Sequence, residues 1–70
     1  MWAEVVLRWL RNEDRSQAWL ARKAGVSVVH LNRCINRAGR SRPSRDLLAR
    51  MEVVMGLPAG TLRLEADVAA

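Results

Sequence analysis

The sequence predicts an all-α domain of four or five short helices. Apolar residues recur at three- and four-residue spacing from Trp2 to Met55. Serines stand just ahead of three of these runs, at Ser16, Ser27 and Ser44, where a hydroxyl can accept from the free amides of a first helical turn. Glycines close two of the runs, at Gly25 and Gly56. The chain has 70 residues, room for a single domain. At this size burial and chain entropy nearly cancel, so support from a partner is expected. Its apolar fraction of 50% is too high for a disordered tail.

Each element follows from local signals. Trp2, Val5, Val6, Trp9 and Leu10 share one face of a helix over residues 2–12, and Asn12-Glu13-Asp14-Arg15 is a polar connector. Ser16 opens a second helix over about 17–24, with Leu20, Ala21 and Ala24 inward and Gly25 as its stop. Ser27 opens a third over about 28–37, with Leu31, Cys34 and Ile35 inward, and Ala38 to Pro43 form a basic loop. Ser44 opens a fourth over about 45–55, striped by Leu47, Leu48, Met51, Val54 and Met55; Gly56 ends it, and Pro58 can start one short final turn. Thr61 to Val68 then alternate polar and apolar residues, which is strand spacing. The tail therefore reads either as a short dimerisation strand, pairing antiparallel with its copy so that Arg63 faces Asp67, or as a frayed end. The expected division is a domain over residues 1–62 and a tail or strand over 63–70.

The net charge of +5 is unevenly distributed. Residues 1–14 carry Arg8 and Arg11 against Glu4, Glu13 and Asp14, a net −1. Residues 15–50 carry Arg15, Arg22, Lys23, Arg33, Arg37, Arg40, Arg42, Arg45 and Arg50 against Asp46, a net +8. Residues 51–70 carry Arg63 against Glu52, Glu65 and Asp67, a net −2. A basic block on a folded domain is the footprint of a polyanionic partner, or else a solvated face that keeps the protein in solution. No apolar run approaches the roughly 20 residues of a membrane span. Met1-Trp2-Ala3-Glu4 lacks the features of a signal peptide, and the single cysteine excludes an internal disulfide framework or a multi-cysteine zinc site. A cytoplasmic compartment is the expectation.

The middle of the chain has the spacing that lets two short helices cross tightly. Ala21 is small where they approach, Gly25 turns the chain, and Leu31 plugs the shared core. Leu20, Ala24, Val26 and Cys34 fill the remaining apolar positions. This is the pattern of a helix-turn-helix, whose second helix enters the DNA major groove.

The segment from Ser16 through Gln17, Ala21 and Gly25 to Ser27, with Leu31, Arg33, Asn36 and the later Pro43-Ser44 to Met55-Gly56-Leu57, resembles the DNA-binding domain of the Cro and lambda-repressor family, also called XRE-type. The similarity covers about residues 4–62. It implies a four- or five-helix lambda-repressor-like bundle that binds an inverted-repeat operator in double-stranded DNA as a homodimer. The implied role is a bacterial or phage transcriptional regulator acting by operator occupancy, located on the nucleoid or in a phage host's cytoplasm. An antitoxin or adaptor module that uses the same bundle to hold another protein is the alternative.

Carried onto this chain, the resemblance implies that Val28, Val29, Asn32 and Arg33 face base edges. Arg33 can bind guanine O6 and N7, Asn32 can serve adenine, and the valines can touch thymine methyls. Gln17, Ser27, Asn36, Arg37, Arg40 and Arg42 are the implied backbone contacts. The chain departs from the pattern at Leu10 and Ile35, where family members often carry an arginine–acid ion pair; an apolar contact between the two is expected instead. The loop Arg37 to Arg42 is about two residues longer than usual, judged from the delayed helix-stopping Gly39, and Arg15 stands where a leucine would staple the second helix. Trp19 is expected to lie over the first helix beside the other tryptophans, or else to anchor a subunit contact. His30 reads as a surface residue and Cys34 as a small apolar one. No catalytic constellation, cofactor motif, metal site or small-molecule site is expected.

Overall fold

The computed structural model describes residues 1–40 and 43–69, with side chains described as far as Ala66. Those residues form five α-helices and no strand: α1 (Trp2–Asn12), α2 (Gln17–Ala24), α3 (Val28–Asn36), α4 (Arg45–Met55) and α5 (Thr61–Ala69). The first four lie where the caps and apolar spacing predict them, α3 ending one residue sooner. Each serine does the work its position suggests. The hydroxyls of Ser16, Ser27 and Ser44 accept from the amides of Trp19 at 3.0 Å, His30 at 3.1 Å and Leu47 at 3.1 Å. Gly25 closes α2 at φ +77°, a left-handed conformation that costs glycine nothing and other residues about 1 kcal/mol or more.

Helix α2 packs on α3 and on α4, while α5 packs on α1 and α4. The shared core holds Trp2, Val6 and Leu10 of α1, Leu20, Ala21 and Ala24 of α2, Leu31 of α3, Leu47, Leu48, Met51 and Met55 of α4, and Leu62 and Ala66 of α5. Trp2 is fully buried although its indole N–H has no hydrogen-bond partner among the described residues. Magnitudes explain the toleration. Burying on the order of 200 Å² of indole contributes about 5 kcal/mol, more than the roughly 1–3 kcal/mol of an unmade hydrogen bond.

The tail corrects the strand expectation. Thr61 to Ala69 are helical, so the antiparallel pairing of Arg63 with Asp67 has no strand to rest on. Leu62 and Ala66 lie one helical turn apart and are both buried, whereas Leu64, which stands between them in the alternation, is 64% exposed. A period of two and a period near four share the pair 62/66, and the backbone decides between them. A lone strand would leave its amides and carbonyls unpaired, whereas a helix pairs them internally.

Glu52 of α4 also fixes that outcome. Its side chain is buried, and its carboxylate accepts from the amides of Gly60 at 3.0 Å and Leu62 at 2.7 Å, capping α5 from a neighbouring helix. Burial pushes the Glu52 pKa up, but the Gly60, Leu62 and Arg63 amides and the Arg63 charge outweigh it and hold the group below the ordinary carboxylate value.

Candidate nucleic-acid interface

Helix α3 divides its circumference sharply. Leu31 is 0% exposed, Cys34 and Ile35 are half-buried against the core, and Val28, Val29, Asn32, Arg33 and Asn36 are exposed. At 3.6 residues per turn these five exposed residues span an arc of roughly 140° opposite the buried one. The four residues expected at base edges thus share one outward face, with Asn36 between their two rows. Val29, 61% exposed, and Val28, 39% exposed, offer methyl groups only, while Asn32 and Arg33 add an amide and a guanidinium to the same face.

The expected backbone contacts are less uniform. Ser27 is exposed at the start of α3, and because its oxygen accepts from His30 N–H its own O–H remains available to donate. Gln17, the first residue of α2, is half-buried, with its amide oxygen enclosed and unpartnered among the described residues. Arg37 caps α3, and Arg40 follows in a turn whose amide donates to the Arg37 carbonyl at 2.8 Å; both side chains are exposed. Arg42 lies outside the described residues.

Helices α2 and α3 carry charge of one sign. Residues 15–45, which include all of α2 and α3, contain no aspartate or glutamate. The acids lie on α1, on the connector after it, and on α4 and α5. Any polyanion approaching α3 therefore meets positive or neutral side chains and no carboxylate of these two helices.

Several individual residues have informative surroundings. Leu10 is buried in the core, and Ile35 packs half-buried against that same cluster. Trp19 stacks on Trp9 with ring centroids 6.0 Å apart and planes at 22°, lying over α1 as expected. Arg15 takes up the staple role by other means, with its guanidinium 4.8 Å from the Trp19 ring centroid. His30 is exposed, but its Nε2 lies 3.8 Å from Cys34 Sγ one turn on, a neighbour that sequence reading overlooked. No group of three or more potential metal ligands occurs among the described residues, and no described helix is long and apolar enough to cross a membrane.

Two further residues matter that sequence reading passed over. Glu52 anchors α5, and Arg50 of α4 donates to the Ala24 carbonyl at the end of α2 at 3.3 Å. The Asp46–Arg50 spacing was legible as an i,i+4 pair, but the reach of Arg50 to α2 spans 26 residues of sequence and had no local signal. Compared with family models, curated proteins and solved structures, the chain matches none.

Proposed function

We propose that the chain is a sequence-specific DNA-binding transcriptional regulator, a Cro/repressor-type helix-turn-helix protein of bacterial or phage origin that acts by occupying an operator. The observation that carries the reading is the outward face of α3. Val28, Val29, Asn32 and Arg33 share that face with no acid anywhere in α2 or α3. A guanidinium and an amide beside two apolar side chains match the donors and methyl contacts that major-groove edges require. Ser27, Arg37 and Arg40 supply phosphate contacts around it, Arg42 adds a further positive charge to the same stretch of sequence, and the N-terminus of α2 at Gln17 adds a favourable dipole.

A homodimer belongs to the same reading. Two copies on an inverted repeat set their α3 helices about 34 Å apart, one DNA turn. The mechanism involves no bond making: the protein occupies the groove and excludes polymerase from the site.

Selection of duplexes from a random pool, followed by affinity measurements at rising salt, tests the proposal. Enriched sites should be inverted repeats. Arg37, Arg40 and Arg42 of two copies make about six phosphate contacts, so affinity should fall roughly a thousandfold between about 50 and 200 mM salt. Failure to enrich any sequence, with no salt dependence, would reject DNA binding and favour a protein-holding module.

A further inference from the structure

We infer that Arg50 is a positioning residue that locks the α2–α3 turn to α4 and so sets the pose of the DNA-facing helix. The inference rests on the DNA-binding reading for its functional consequence, but its geometry stands independently. Arg50 Nη1 donates to the Ala24 carbonyl at 3.3 Å, at the C-terminal end of α2. On its other side, Arg50 Nε lies 3.1 Å from the Asp46 carboxylate one turn back along α4. Asp46 thus aims the guanidinium, and the guanidinium places positive charge where α2 exposes its last carbonyls and the negative end of its dipole.

The turn is shaped around this contact. A Cβ added at Gly25 would lie 3.3 Å from Arg50 Nη1. Glycine is favoured at this position by its φ of +77°, and an added Cβ would also press the Arg50 guanidinium aside by a few tenths of an ångström. Ala24 and Gly25 lead through Val26 directly to Ser27, the cap of α3. A change in how Ala24 is held is passed along three residues to the start of the recognition face.

The contacts between α1 and α3 are of a different kind. Leu10 and Ile35 are aliphatic, so α1 and α3 have no ion pair between these positions. An apolar contact resists separation, but it is non-directional and fixes orientation less tightly than a hydrogen bond with defined geometry. The Arg50 hydrogen bond from α4 to the end of α2 supplies a directional tie of this kind.

Arg50→Met and Arg50→Lys in the full chain test the role, because Met keeps the alkyl stem and Lys keeps the charge. Affinities would be measured for a duplex selected by the unsubstituted protein and for a random-sequence duplex, across about 50–200 mM salt. Arg50→Met should weaken the selected duplex about threefold to tenfold, with the random duplex almost unchanged. The salt slope should be retained and Arg50→Lys should restore most of the loss. Undiminished selected affinity in a folded Arg50→Met variant overturns the inference. So does a slope reduced by about one, the sign of a direct phosphate contact.

A stability cycle of Gly25→Ala, Arg50→Met and the double variant reads the lock without DNA. Gly25→Ala should cost less once the guanidinium is gone, and additive effects would refute the geometry. If the unsubstituted chain binds no duplex, the DNA-binding reading and the positioning role fail together, while the cycle alone decides whether the lock exists.

Discussion

Replacing Glu52 by glutamine should detach α5 from the bundle. The carboxylate is 5% exposed and accepts from two amides, at 3.0 and 2.7 Å. Glutamine is nearly isosteric, so no cavity opens. Its single carbonyl oxygen can keep one of the two bonds, while its NH₂ group meets an amide donor with another donor. Loss of a hydrogen bond to a charged group costs about 1.5–3 kcal/mol, and loss of the negative charge at the α5 N-terminus adds roughly 0.3–1 kcal/mol. A total of about 2–4 kcal/mol is a large share of the roughly 4–10 kcal/mol expected for a domain this small. It corresponds to a fall in Tm on the order of 10–30 °C.

The assay is thermal and urea unfolding of both proteins as a function of pH. Because the Glu52 pKa is lowered on folding, its contribution is fully present above the unfolded carboxylate pKa of about 4.3. It is lost as pH falls through the lower, folded value. The stability gap between the two proteins should therefore be constant near neutrality and close under acid. A gap below about 0.5 kcal/mol at pH 7, or one that persists unchanged to the lowest pH, would refute the capping role.

Two further outcomes bear on the candidate interface. Arg33→Ala should weaken binding to a selected duplex by about 1–3 kcal/mol and relax preference at one base position; an equal loss on random DNA would identify Arg33 as a phosphate contact only. Ile35→Glu should cost about 2–3 kcal/mol in urea unfolding, because it presents a carboxylate to the half-buried position packed on the core. An unchanged urea midpoint would show that Ile35 does not join α3 to that core.

The candidate site was legible to the extent that its signals were local. The outward set on α3 could be read because one turn returns every third or fourth residue to the same side, and Leu31 at 0% exposed fixes which side is inward. The Trp9–Trp19 stack was legible as a preference, since both residues lie on helices joined by a short connector. Arg15 was marked as a missing staple, but its contact with the Trp19 ring was not foreseen, because a cation over a ring leaves no spacing pattern in sequence.

By itself the sequence determined where α2 and α4 begin and end, because a serine hydroxyl caps an amide three residues away and a left-handed glycine stops the helix beside it. It also determined the charge asymmetry along the chain, with an acid-free run from Arg15 to Arg45. Only the tertiary structure decided that residues 61–69 are helical and that the α2–α3 turn is tied to α4. Alternating residues over so short a segment satisfy either period, and the carboxylate that caps α5 comes from Glu52 on another helix. The guanidinium that holds Ala24 likewise comes from 26 residues away. Hydrogen bonds that close within a turn are written into adjacent residues, whereas those that join distant elements exist only once the core has brought the elements together.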